Sequence, residues 1–281
     1  MSKLSRANVC GSNFSYHHHH FERFLDDMVD LDLRSIELWG IAPHLHVPTV
    51  TDEQVRVIAK QLRAREMKVH CVTPEQVLYP VNIASGDQTL RTDSIRTFKR
   101  AAQICVQLGA PYLFLTPGRG YEDEPAEEGW KRAADALSTI GEYAESLGVP
   151  CLFESFQRVE TNLVYNLEKM RDMAGQMDAS NYSFVLDTVA MAVAGDSVED
   201  YFKAFPGKIA HVHLVDGRPA GHLAWGDGNL PLDTYVRHLE QCGYSERLTF
   251  EVLGDGNYAL KPRKALEQCL TAFDKVTQQS N

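Results

Sequence analysis

Four residues in the C-terminal half offer the chemistry of this sequence: Glu154, Asp187, His213 and Glu251. Each closes a short apolar run. Glu154 follows Cys151-Leu152-Phe153, Asp187 follows Phe184-Val185-Leu186, His213 ends His211-Val212-His213, and Glu251 follows Leu248-Thr249-Phe250. Three carboxylates and an imidazole form a hard-to-borderline donor set, suited to Mn²⁺, Mg²⁺, Co²⁺ or Zn²⁺ rather than to a metal that prefers thiolates. One carboxylate after an apolar run often marks only a strand end or the cap of the next helix. Four on successive runs carry more weight, because clustered buried carboxylates without a cation repel one another and keep their protons at neutral pH.

The elements that must position these residues follow from the hydrophobic pattern. Eight short apolar runs read as strands buried on both faces: Ala7–Cys10, Ser35–Trp39, Lys68–Thr73, Tyr112–Thr116, Pro150–Phe153, Tyr182–Leu186, Ile209–Val215 and Leu248–Leu253. Amphipathic stretches lie between them, at Phe21–Leu31, Thr51–Glu66, Leu90–Leu108, Glu128–Leu147, Asn166–Met177, Leu232–Cys242 and Lys261–Val276. Thr51-Asp52-Glu53 reads as a helix start, and Gly109, Gly148 and Gly243 stand where a helix end needs positive φ. The alternation predicts an α/β protein with a parallel sheet, and the 281-residue length suits one (β/α)₈ TIM barrel. A doubly wound open sheet is the alternative, but no Gly-x-Gly-x-x-Gly follows the first strand. No linker or repeat divides the chain, so residues 1–281 are expected to form a single domain. In a barrel, chemistry sits where the strands end. Strands about 4.8 Å apart can then bring the four residues together.

Bulk properties narrow the partners. A formal net charge of −10 with no Lys/Arg run argues against nucleic acid. The first residues lack the apolar stretch of a signal peptide, and no window is apolar enough for a membrane span. Six cysteines without a C-x-x-C pair read as small buried hydrophobes in a reducing compartment. A cytoplasmic protein with no membrane partner is expected.

The late-strand signature, Glu154 in FES, Asp187 in LDT, His213 in HVHLVD and Glu251 in FEV, resembles that of the xylose-isomerase-like barrel family of sugar isomerases and epimerases. The resemblance spans nearly the whole chain. The first two intervals, 33 and 26 residues, match the ketose 3-epimerases, and the last, 38, is somewhat longer. Segments of the first half resemble the fructosamine branch: Ile36-Glu37-Leu38-Trp39-Gly40, Pro43-His44, Thr73-Pro74-Glu75, Tyr79-Pro80 and Asn82, with Glu160-Thr161-Asn162 further on. Three features depart from the pattern. Ala190 stands where tagatose-type epimerases place a substrate-contacting histidine. The loop Gly217–Gly228 differs in detail, though His222 and Gly226-Asp227-Gly228 keep its outline. The run His17-His18-His19-His20 has no counterpart and reads as solvated or at a pocket rim.

The resemblance implies a divalent ion held by Glu154, Asp187, His213 and Glu251, with Mn²⁺ the expected ion and Co²⁺, Mg²⁺, Ni²⁺ or Zn²⁺ compatible. It implies a small sugar substrate, a ketose or a fructosamine such as fructoselysine, and epimerisation at C3 through an enediolate. Glu154 and Glu251 are the acid/base pair, one removing the proton and the other returning it to the opposite face. Glu160, His211, Trp39, His44, Asn82 and His222 are candidate substrate contacts. His211 reads equally well as a hydrogen-bonded core histidine, and Trp39 as core packing. Family members commonly assemble as homo-oligomers. The same fold and ion also permit elimination from a 3-oxo-glycoside or dehydration of a keto-inositol. An endonuclease of the same fold would need more histidines and a basic face, and a non-catalytic barrel would not need both glutamates.

Overall fold

A computed structural model describes residues 3–76, 80–177, 180–254 and 257–279. Eight parallel strands close into a barrel in chain order, β1 next to β2 and so on round to β8 beside β1. They are β1 Val9–Ser12, β2 Ser35–Gly40, β3 Lys68–Pro74, β4 Tyr112–Leu115, β5 Cys151–Phe153, β6 Tyr182–Asp187, β7 Ile209–His213 and β8 Arg247–Thr249. The helices α1 Phe21–Asp30, α2 Asp52–Arg63, α3 Gln88–Leu108, α4 Ala126–Ser146, α5 Leu167–Ala174, α6 Thr188–Ala194, α7 Val198–Ala204, α8 Leu232–Gln241 and α9 Pro262–Gln279 connect and follow the strands. The barrel expected from the sequence is the one observed. No helix among the described residues is long and apolar enough to cross a membrane.

Strand alternation sorts the side chains into two cores. Ile36, Leu38, Leu113, Leu115, Phe153, Phe184, Leu186 and Val212 pack outward into the large core under the helices. The intervening positions point into the barrel, where Cys71, Phe114, Leu152 and Val185 form a small separate cluster. Two residues further along β5 and β6, the same inward face carries Glu154 and Asp187. On β7, His211 and His213 share that face, so every candidate ligand stands one layer above a lumen residue.

Local chemistry sets the helix ends as expected. Thr51 and Gln54 form a reciprocal capping box at α2, with the Gln54 amide donating to Thr51 Oγ1 at 3.2 Å. Gly109, Gly148 and Gly243 all take positive φ. Several boundaries and one connection differ from the expected pattern. β1 runs two residues later than expected. β8 stops at Thr249, so Glu251 lies in the segment after the strand rather than within it. Between β6 and β7 the sequence pattern showed no helix, yet the chain makes two. Each has only seven residues, too short to display a periodic stripe. Gly195 ends the first in the left-handed region, and the Ser197 side chain caps the second.

Candidate active site

The inward alternation brings Glu154, Asp187, His213 and Glu251 to the ends of β5 to β8. Asp187 and His213 are directly paired across the sheet, and His213 pairs with Thr249, two residues before Glu251. His213 Nδ1 is 2.8 Å from Glu154 Oε1, 3.3 Å from Glu251 Oε2 and 4.0 Å from Asp187 Oδ2. All four side chains are buried. Phe114 lies stacked under the His213 ring, with centroids 5.3 Å apart.

Three atoms in this cluster, Glu154 Oε1, Asp187 Oδ2 and His213 Nδ1, are buried and lack a hydrogen-bond partner. Glu154, Asp187 and His213 each offer a ligand atom, all within 4.8 Å of one another. Buried polar atoms are almost always paired, so three converging atoms of this kind suit an occupant that accepts lone pairs. The second oxygen of Asp187 is already used, accepting from the Ala190 amide at 2.6 Å as the cap of α6, which leaves Oδ2 turned to the centre. The donors present thus fit a divalent cation.

Electrostatics agree. Burial raises the Glu154 carboxyl to about 8, with Glu251 and Asp187 adding to the rise against the pull of His213. Burial works in the same sense on Glu251, but His213 and His222 outweigh it and hold that carboxyl down. Burial disfavours the His213 cation, yet Glu251, Glu154 and Glu37 overcome it and raise the ring well above its ordinary value. The protons held by Glu154 and by the His213 ring are ones that a metal ion would displace on binding.

Glu37 is the residue beside this cluster that the sequence reading did not single out. It is fully buried on β2, and its Oε2 lies 3.2 Å from His213 Nε2 and 3.1 Å from His211 Nε2, while Thr73 Oγ1 donates to its Oε1 at 2.6 Å. Burial alone would raise this carboxyl; His213 and His211 hold it well below the usual range. The signal was present, a charge at the centre of Ser35-Ile36-Glu37-Leu38-Trp39, but Glu37 was read only as part of a resemblance. Glu37, Cys71 and His211 form a second close group. There, however, burial and Glu37 push the Cys71 thiol well up, so it stays protonated.

The other candidates separate. Trp39, Glu160, His222 and Ala190 line the same pocket as Glu154, Asp187 and Glu251, about 340 Å³ including its open mouth. Glu160 Oε2 accepts from the Gln157 amide at 3.0 Å, and burial raises its carboxyl. Trp39 Nε1 is buried without a hydrogen-bond partner. His211 lies below the pocket, bonded to Glu37 and to Thr249 Oγ1 at 3.1 Å, the arrangement of a core histidine. His44 and Asn82 are committed elsewhere. His44 contacts the His19 carbonyl at 2.8 Å and Asn13 at 3.1 Å in an outer groove shared with His19 and His20. Asn82 bridges the Arg119 backbone, donating to its carbonyl and accepting from its amide. Tyr79 lies outside the described residues. In the histidine run, the His17 and His18 rings meet at a tilt of 54° with centroids 4.0 Å apart, and His17 Nδ1 is 2.6 Å from the Phe14 carbonyl.

The family model for the xylose isomerase-like TIM barrel matches residues 25–274. The chain belongs to the xylose isomerase-like TIM barrel family. Within that family it is similar to the fructoselysine 3-epimerase of Escherichia coli O157:H7, 28% identical over 254 residues, covering 90% of this chain and 92% of the relative. Among solved structures it superposes on the 3-keto-D-glucoside 4-epimerase of E. coli with a TM-score of 0.78 at 14% identity, covering 94% of this chain and 99% of that one. It also superposes on the IOLI protein with a bound zinc atom, with a TM-score of 0.76 at 19% identity, covering 97% and 98%. As in other xylose isomerase-like barrels, the strand ends of this chain are where chemistry can be built.

Proposed function

We propose that this protein is a metal-dependent sugar epimerase acting at C3 of a ketose or fructosamine, with Glu154 and Glu251 as its acid/base pair. The observation that carries the reading is the approach of both glutamates to one His213 nitrogen, at 2.8 and 3.3 Å, from strands separated by β6 and β7. Two carboxyl groups arriving from different sides of a narrow pocket suit removal of a proton from one face of a carbon and its return to the other. Family membership and the similarity to a fructoselysine 3-epimerase support the same class.

Glu154, Asp187, His213 and Glu251 would hold a divalent ion, Mn²⁺ by preference, which when bound supplies Lewis-acid polarisation of two adjacent substrate oxygens. One glutamate takes the C3 proton, and the C–H electron pair moves into the C2 carbonyl to give an enediolate. The other delivers a proton to the opposite face of C3, and the pair of electrons returns to that carbon with inverted configuration. Glu160 and the Trp39 indole N–H, both on the pocket wall, orient the sugar hydroxyls. Phe156 and Leu253 line the same wall and limit water at the reacting carbon.

The test is incubation of the Mn²⁺-loaded protein in D₂O with ketoses, fructoselysine and 3-oxo-glycosides, followed by NMR. Deuterium at C3 together with the C3 epimer supports the proposal. Deuterium migrating to the neighbouring carbon shows aldose–ketose isomerisation instead, and release of an aglycone shows elimination.

A further inference from the structure

His222 reaches the same centre from outside the four strand ends. It lies in the loop between β7 and α8, yet its Nε2 is 3.4 Å from Asp187 Oδ2 and 3.2 Å from Glu251 Oε2. These are the oxygens that the centre itself uses. Asp187 Oδ2 and Glu251 Oε2 thus both lie within ion-pair distance of one imidazole nitrogen. Asp187, His222 and Glu251 form a donor group in their own right, sharing Asp187 with the group of Glu154 and His213.

The loop holds the imidazole there deliberately. His222 has φ 42, in the left-handed region that a side-chain-bearing residue rarely adopts, beside Gly221 at φ 122. Its carbonyl accepts from the amides of Leu253 at 3.2 Å and Gly254 at 3.0 Å, directly after Glu251. Asp216 ties the rest of the loop, accepting from the amides of Gly226, Gly228 and Leu230. The backbone is fixed, so the ring can leave the centre only by turning about its own side-chain bonds.

These contacts can be compared with the geometry of a single ion. Ligands about 2.1 Å from an octahedral ion stand roughly 3.0 Å apart when adjacent and roughly 4.2 Å apart when opposite. Four of the donor separations, 2.8, 3.2, 3.3 and 3.4 Å, fit adjacent positions, and the His213–Asp187 separation of 4.0 Å fits an opposite pair. Each of these five contacts is compatible with one coordination shell, and Asp187 is the donor common to both groups.

Building on the metal-site reading above, we infer that His222 is a fifth protein ligand in the resting enzyme and yields its position to the second oxygen of an arriving chelating sugar. Four protein ligands leave two places on a six-coordinate ion, and five leave one. A substrate that chelates through two adjacent oxygens therefore displaces the one ligand that no strand end supplies.

Pulsed EPR of the Mn²⁺ protein counts directly bound imidazole nitrogens and tests this without turnover. Two bound nitrogens are expected in the resting wild type and one in His222→Asn, a substitution that tolerates positive φ. Mn²⁺ affinity by calorimetry should drop about tenfold or more in the variant. Acetohydroxamate, a small bidentate oxygen chelator, should reduce the wild-type count from two to one. A single nitrogen in the resting wild type overturns the inference and leaves the metal site standing; no Mn²⁺ binding at all overturns the metal-site reading itself. Two nitrogens with acetohydroxamate present, whether because it binds elsewhere or fails to bind, overturn the exchange. The wild-type count stands even where the variant fails to fold.

Discussion

Glu37 Oε2 sits 3.2 Å from His213 Nε2, on the side of the ring away from the three clustered carboxylates. A carboxylate there accepts the Nε2 proton and leaves the Nδ1 lone pair facing the centre, which fixes both tautomer and ring orientation. Replacing Glu37 by Gln keeps the volume but puts a weaker, partly donating group against two histidines. We expect Glu37→Gln to weaken Mn²⁺ binding by about 10–100-fold, read by calorimetry. Wild-type affinity would remove Glu37 from the metal centre's support.

Glu154 and Glu251 are proposed to share the proton transfers. Glu154→Gln and Glu251→Gln should each lower kcat by about 10²–10⁴-fold, and the pair made together should abolish exchange of the substrate proton in D₂O. Because each also contacts the proposed ion, the comparison belongs at saturating Mn²⁺. Turnover retained by the double variant would contradict the acid/base assignment.

Removing the ion should cost stability as well as activity. The apo centre leaves three carboxyl groups crowded around His213, and burial already raises the Glu154 carboxyl to about 8. An ion at 100 times its dissociation constant stabilises the native state by about 2.7 kcal/mol. For a chain of this size that corresponds to a rise in Tm of roughly 5–10 °C, since 1 kcal/mol moves Tm by about 2–4 °C. Differential scanning calorimetry of EDTA-stripped protein, with and without Mn²⁺, reads it directly; identical melting curves would argue against a cation site.

The barrel was legible because buried parallel strands are short apolar runs, and eight of them cannot hide in 281 residues. The cluster was legible because a charged or imidazole side chain stands at or just beyond the end of each late strand. Positions held by contacts distant in sequence were not legible. Glu37 lies 176 residues before His213, and nothing local distinguishes a buried partner from a charge at a strand edge. His222 is legible as a candidate substrate contact but not as a neighbour of Asp187 and Glu251, since its reach depends on how the loop folds over Glu251. His44 and Asn82 illustrate the opposite case. Their types suit sugar hydroxyls, but neighbouring backbone groups claim both side chains first.

The pH dependence of stability should carry the mark of His70. Burial, helped by His211 and opposed by Glu37, lowers its imidazole to about 3, against an ordinary value of 6.5. Its Nε2 is buried without a hydrogen-bond partner, and its ring faces that of His211 at 5.0 Å. The native state therefore keeps this ring neutral where the unfolded chain would protonate it. Between pH 6.5 and about 3 the unfolded state binds the extra proton, so stability falls as pH drops through that window and is unaffected by His70 above it. A one-proton difference amounts to about 1.4 kcal/mol per pH unit at most. His70→Phe removes the titrating group while filling similar space. Urea unfolding at pH 7, 6, 5 and 4 should show a shallower loss of stability in the variant by up to one proton, and parallel curves would mean that His70 is protonated in the native state as readily as in the unfolded chain.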